Sequence, residues 1–304
     1  MKKLIVVAGP TASGKTDLSI KLAQYFRTEI ISADSRQIFN ELTVGTAKPT
    51  VSQLKEVPHH FIDSLSITED FNAGKFEIQA LAKLADLFKT HELVIMTGGS
   101  GLYINAVLFG FDDLPVIDQG LREKIKSEFQ EKGIVFLQSE IRLLDPAYAN
   151  MVDMNNPQRI IRALEVCYST SKPYSSFISK KVKHRDFNFN IYILDWDREV
   201  LYSRIDARVE QMVNQGLFEE ALALLPFKNK QALQTVGYKE IFKSRDSNIS
   251  KEKTIELIKQ NTRNYAKRQM TWFRSLKEAV FVTPENAFDI IIENESIQDE
   301  NSES

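Results

Sequence analysis

Eight residues near the start, Gly9-Pro10-Thr11-Ala12-Ser13-Gly14-Lys15-Thr16, carry the spacing Gly-x-x-x-x-Gly-Lys-Thr of a phosphate loop. In such a loop backbone N–H groups and the positive end of the following helix surround phosphate oxygens, and the lysine adds a point charge. Thr16 supplies a hydroxyl that can hold Mg²⁺. The flanks fit, with an apolar run at 4–8 before the loop and helical sequence after it. The motif calls for a phosphorylated ligand and leaves open whether the phosphates belong to ATP or to something else.

Asp34 closes a second apolar stretch, in Ser32-Ala33-Asp34-Ser35-Arg36-Gln37. A carboxylate beside a phosphate site can serve as metal ligand, general base or helix cap, and away from such a site it is usually a cap. A third stretch ends Thr97-Gly98-Gly99-Ser100-Gly101, without the Asp that commonly holds Mg²⁺ in NTPases. These glycines permit close approach to a ligand or simply a tight turn, and Ser100 adds a hydroxyl. Asn156-Pro157-Gln158-Arg159-Ile160-Ile161-Arg162 reads as a helix start, capped by Asn156 with Pro157 first in the helix. Arg204 and Arg208, four apart, put two guanidiniums on one helical face, for an anion or for the nearby acids Glu199, Asp206 and Glu210. Lys259, Arg263, Lys267 and Arg274 share a narrow face of a later helix, and Lys172, Lys180, Lys181, Lys183 and Arg185 have no acid among them. Both groups suit a phosphate backbone and both suit a solvated surface.

The elements that must position these residues follow from periodicity. Strands at 4–8, 29–33 and 93–97, alternating with helices from 15 and over 74–90, predict an α/β fold with a parallel sheet, whose ligands gather at the strands' carboxyl ends. The phosphate loop, Asp34 and the 98–101 turn each follow a strand, so all three are expected on one edge. Helical periodicity at 121–132 and 157–168 predicts a helical insertion, after which a strand at 190–195 and helices over 199–272 complete the core. The expected division is a P-loop NTPase-like core of parallel sheet flanked by helices over 1–114 and 186–292, and an insertion over 115–185. The tail, 293–304, carries five acids and no base and is expected to be disordered. Without it the balance is 39 basic to 36 acidic groups, a mildly basic body inside a chain of net charge −2. A lone cysteine, Cys167, excludes an internal disulfide, four scattered histidines give no zinc spacing, and no segment is built to span a membrane. These features suit a cytoplasmic setting.

The ordered series is similar to the tRNA dimethylallyltransferase family, also called tRNA isopentenyltransferases, in its shorter bacterial form without the zinc-finger extension of some eukaryotic members. The stretches that carry the likeness are the phosphate loop, Asp34-Ser35-Arg36-Gln37, Gly45-Thr46-Ala47-Lys48-Pro49, Gly98-Gly99-Ser100-Gly101-Leu102-Tyr103, Asn156-Pro157-Gln158-Arg159, Thr235-Val236-Gly237-Tyr238, and Ala266-Lys267-Arg268-Gln269 with Trp272-Phe273-Arg274. Ser100 stands where many members have Thr, and Phe39 where Tyr is frequent.

The resemblance implies transfer of a dimethylallyl group from dimethylallyl diphosphate to the exocyclic N6 amine of the adenosine 3′-adjacent to the anticodon. Asp34 would be the general base, and Lys15, Thr16 with Mg²⁺, Ser100 and Arg208 the other catalytic groups. Gly9, Pro10, Thr11, Ala12, Ser13, Gly14, Lys15 and Thr16 would hold the diphosphate. Asp34, Ser35, Arg36, Gln37, Ser100, Arg122, Gln158, Arg159, Ile160, Ile161 and Arg162 would meet the tRNA anticodon stem-loop, whose unstacked bases can be drawn into a pocket. A monomer is implied as well. The rival on the same motif is an ATP-dependent small-molecule kinase.

Overall fold

A computed structural model describes residues 2–112, 114–115, 117–178 and 182–300, with side chains to Ser296. Six strands, β1 (Lys3–Ala8), β2 (Ile30–Ser32), β3 (His59–His60), β4 (Leu93–Gly98), β5 (Asn188–Leu194) and β6 (Ala279–Val282), form one sheet in the order β3-β2-β4-β1-β5-β6. Every pairing is parallel. From Leu4 to Ala8 the central β1 is fully buried, and its unbroken apolar run is what a strand covered on both faces requires. Four helices, α1 (Lys15–Phe26), α2 (Val51–Glu56), α3 (Ala73–Leu87) and α4 (Gly101–Phe109), precede the helical segment α5 (Gln119–Leu144), α6 (Pro146–Ala149) and α7 (Pro157–Thr170). After β5 come α8 (Arg198–Asn214), α9 (Leu217–Ala223), α10 (Tyr238–Asp246) and α11 (Lys251–Phe273), and α12 (Ala287–Glu300) follows β6.

The chain divides into two compact units, one made of Met1–Phe109 with His184–Ser304 and the other of Gly110–Lys183. The first has a core beneath the sheet around Ile5, Leu22, Ile95 and Ile291, and another around Ile38, Leu42, Leu217, Tyr238 and Ile258. The second is helical. Its α5 does not stop near residue 132 but continues to Leu144 through a break at Gly133, whose φ of 72° the absent side chain permits. Asn156 caps α7 by accepting the Arg159 amide, and Pro157 opens it. Ile160 and Ile161 pack with Ile125, Leu137 and Ile141 in this unit's core. At 0% and 4% exposed, these two side chains are inside that core, so a contact with RNA at these positions would fall to the backbone.

Three elements depart from the sequence reading. β3 and β6 are short edge strands, and α12 carries regular structure into the segment expected to be disordered. Ala287, Ile291 and Glu295, each four apart, are its buried face. Glu295 is stabilised by Lys3 Nζ at 2.8 Å, Tyr192 OH at 2.7 Å and Asn190 Nδ2 at 2.8 Å, the pairing that a buried carboxylate needs. Residues 301–304 lie outside the described residues.

Candidate active site

The strand order sets β2, β4, β1 and β5 side by side, with Ala8 opposite Gly98 and Ser32 opposite Thr97. Their carboxyl ends are therefore level, and a cavity of about 490 Å³ opens there, walled by Thr11 to Thr16, Asp34, Arg36, Gln37, Gly98, Gly99, Arg204 and Arg208. In the phosphate loop Gly9, Ala12 and Gly14 have φ of 153°, 63° and 90°. Its carbonyls are taken by side-chain donors, one from the loop and two from beyond it: Lys15 Nζ reaches Pro10 O at 2.7 Å, Arg204 Nε reaches Ala12 O at 2.9 Å, and Trp196 Nε1 reaches Ser13 O at 2.9 Å. Helix α1 starts at Lys15 with no side-chain cap, so its first-turn amides are left for an anion.

Four cations and two carboxylates, Asp17 and Asp34, line this cavity. Enclosure lowers Lys15 to a pKa of about 7, and Arg208 pushes it the same way while Asp34 opposes. Lys15 is only half-buried by accessible surface, so water in the cavity tempers that shift. Burial also lowers Arg208, with Asp34 opposing and Arg204 adding to the fall. The site at rest is an excess of positive charge awaiting an anion.

Asp34 makes the contacts of a cap and stands in the cavity wall as well. Its Oδ1 accepts the amides of Arg36 at 2.9 Å and Gln37 at 3.3 Å, as a cap does, and the residue also lines the cavity beside Lys15. Gln37 Nε2 donates to the carbonyls of Thr46 and Ala47, at 3.2 and 3.3 Å. Behind that loop Glu220 accepts the amides of Thr43, Val44 and Gly45 and the Tyr238 hydroxyl. Ser100 lines a second cavity of about 440 Å³, with Ser35, Phe39, Tyr103 and Trp272. Its Oγ accepts the Ser35 amide at 2.9 Å and lies 3.2 Å from Ser35 Oγ. Arg36, Gly99, Tyr265 and Gln269 line both cavities, which are therefore neighbours.

Other sequence candidates land differently. Arg204 spends Nε on the loop and stacks on Trp196 at 4.4 Å, while Arg208 reaches the Thr46 carbonyl at 3.5 Å and acts on Lys15 through its charge. Lys259 pairs with Glu210 and Glu256, and Arg263 with Asp206, which removes two cations from the supposed basic face. Arg185 is nearly buried, donating to Glu77 and to the carbonyls of Ala106 and Val107. Lys180 and Lys181 lie outside the described residues. In the helical unit Gln158 and Arg159 are exposed, while Arg122 and Arg162 both engage Glu165.

A family model described as IPP transferase matches residues 37–276. This chain belongs to the IPP transferase family. Among its relatives the tRNA dimethylallyltransferase of Flavobacterium johnsoniae is 48% identical over 90% of this chain and 91% of that protein. The tRNA dimethylallyltransferase 1 of Bacteroides fragilis is 45% identical over 95% and 96%. The crystal structure of the full-length tRNA isopentenylpyrophosphate transferase from Bacillus halodurans superposes with a TM-score of 0.72 at 33% identity, covering 100% of this chain and 99% of that one. A eukaryotic dimethylallyltransferase acting on tRNA gives 0.78 at 26% identity, covering 98% and 78%. This IPP transferase family member is a transferase on a P-loop-like α/β fold, and the kinase reading is not favoured. The family match begins beyond the phosphate loop and Asp34, so their part in the site rests on the geometry above. Glu220, Trp196 and Tyr265 escaped the sequence reading, because each is joined to the site by packing and none by spacing. Gln269 was visible only inside a motif.

Proposed function

We propose that the chain transfers the dimethylallyl group of dimethylallyl diphosphate to the exocyclic N6 amine of the adenosine 3′-adjacent to the anticodon in tRNA, giving N6-dimethylallyladenosine. The observation that carries this reading is the pair of neighbouring cavities that share Arg36, Gly99, Tyr265 and Gln269: the phosphate loop walls one, and the other has aromatic and hydroxyl side chains in its lining. The first-turn amides of α1, Lys15 and Arg208 hold the diphosphate and stabilise the charge that grows on it as the carbon–oxygen bond breaks. The bond pair leaves with the diphosphate oxygen, and the amine lone pair forms the new carbon–nitrogen bond. Because Oδ1 of Asp34 is held by two turn amides, Oδ2 receives the amine proton. Such acid–base help is worth ~10²–10⁴ in rate.

Mg²⁺ would be held by Thr16 Oγ1, which lines the cavity, together with oxygens of the substrate. When bound it neutralises charge on the leaving diphosphate. No group of three or more His, Cys, Asp or Glu side chains among the described residues could build a metal cage without substrate. On the acceptor side we assign Ser35, Arg36, Gln37 and Ser100 to the tRNA, and in the helical unit Arg122, Gln158, Arg159 and Arg162. The reading places a monomer in the cytoplasm, with tRNA. No helix among the described residues is long and apolar enough to cross a membrane. Incubation with labelled dimethylallyl diphosphate and unmodified tRNA should put label into tRNA and release diphosphate. Unlabelled tRNA, with ATP consumed by a small acceptor, would overturn the proposal.

A further inference from the structure

Gln269, on α11, is 7% exposed and has both ends of its amide engaged. Its Oε1 accepts the amide of Thr11 at 2.9 Å, across 258 residues of sequence, and its Nε2 donates to the carbonyl of Gly99 at 2.8 Å. Thr11 belongs to the phosphate loop, and Gly99 opens the turn that carries Ser100. The two hydrogen bonds therefore tie the donor side of the site to the acceptor side through one planar group. Gln269 and Gly99 also line both cavities. The fit is close from below as well. A Cβ on Gly99 would stand 2.4 Å from Gln269 Nε2, and one on Gly101 would stand 2.4 Å from the ring of Trp272, one helical turn further along α11. Glycine at 99 and 101 is thus what lets α11 press its Gln269 and Trp272 against the turn.

We infer that Gln269 is a positioning residue that fixes the distance between the diphosphate loop and the acceptor turn, and through it the reach of the allyl carbon toward the amine. The inference rests on the transfer reaction proposed above. Attack across a gap is sensitive to such spacing, since misplacement by about 1 Å can cost ~10² in rate while leaving both substrates bound. A buried polar side chain also fits this duty better than an apolar one, because its two hydrogen bonds are directional and dispersion contacts are not.

The test substitutes Gln269→Met, which keeps the length and volume and removes both hydrogen bonds. Wild type and variant are compared for kcat, for KM with dimethylallyl diphosphate and with unmodified tRNA, and for melting temperature. The expected result is a kcat lower by about 10²-fold, with both KM values within about threefold, since the lost interactions matter to alignment and not to ground-state binding. A second variant, Gln269→Glu, keeps an acceptor for Thr11 but sets a carboxylate against the Gly99 carbonyl. Its kcat relative to wild type should rise as pH falls, because the protonated acid can again donate to Gly99 O. An active wild type with Gln269→Met at full kcat would falsify the inference. A loss of kcat in step with weakened substrate binding or with unfolding, and no pH recovery in Gln269→Glu, would make Gln269 a merely structural residue. A wild type that moves no label into tRNA is the failure of the reaction itself and is read separately.

Discussion

Two glycine-rich strand-to-helix turns stand side by side at the carboxyl edge of the sheet, after β1 and after β4, and they use glycine for opposite ends. In the 9–16 loop Gly9 and Gly14 take positive φ, of 153° and 90°; a Cβ on Gly9 would meet Ser13 Oγ at 3.1 Å and Leu194 at 3.2 Å, but the space beside Gly14 is open, its nearest neighbour being an Arg204 nitrogen at 3.8 Å. There glycine shapes the backbone so that amides face an anion. In the 98–101 turn no glycine has positive φ, and a Cβ at Gly98 would lie 2.2 Å from the Ala33 carbonyl oxygen. There glycine removes bulk so that neighbouring backbone and α11 can close in. In the proposed reaction the first turn is the one that would bind the diphosphate, and the second the one that would set where the acceptor stands. Asp34, directly after Ala33, lies where they meet.

Substitutions can break or sharpen that contrast. The largest effect belongs to the meeting point: Asp34→Asn should cut kcat by ~10²–10⁴, while filter binding shows tRNA affinity largely kept; equal loss of both would make Asp34 a tRNA contact alone. Gly98→Ala comes next. Because the blocking atom is backbone, it should cost about 3 kcal/mol in a urea melt and lower kcat by displacing the segment that bears Asp34. Gly14→Ala meets no obstacle, so only left-handed strain of about 1–2 kcal/mol is expected, with weakened diphosphate binding as its main readout. If the two glycine variants proved equal in stability cost, the distinction between conformation and clearance would be lost. The smallest effect is a titration. With Lys15 at about pKa 7 in the free site, a bound diphosphate stabilises the ammonium and raises that value. Binding should thus take up little proton near pH 6 and close to one near pH 8, with affinity falling as pH rises through about 7. Calorimetry in buffers of different ionisation enthalpy reads this, and the uptake should vanish in Lys15→Met.

Much of the architecture was legible in the chain. The strands at 4–8 and 93–97, the phosphate loop between β1 and α1, and the Asn156-Pro157 start of α7 are local patterns, where periodicity and cap chemistry act within a few residues. Shorter or masked signals were missed. His59–His60 is too brief to show alternation, and the acids of 293–304 hid the buried stripe of α12, although Ile291 and Glu295 already stood four apart. The cation patches misled for a related reason. Spacing puts Lys259 and Arg263 on one face, but not the partners Glu210 and Asp206 brought by α8.

By itself, then, the sequence determined the parallel α/β order, the phosphate loop and the edge on which Asp34 would join it, because turn conformation and strand burial are settled by neighbouring residues. Tertiary structure alone decided which cations stay available to an anion, why Ile160 and Ile161 face inward, and how Gln269 ties Thr11 to Gly99. Hydrogen bonds and ion pairs between residues far apart in the chain depend on which surfaces the packing of apolar faces brings within about 3 Å, and no pattern along the chain carries that information.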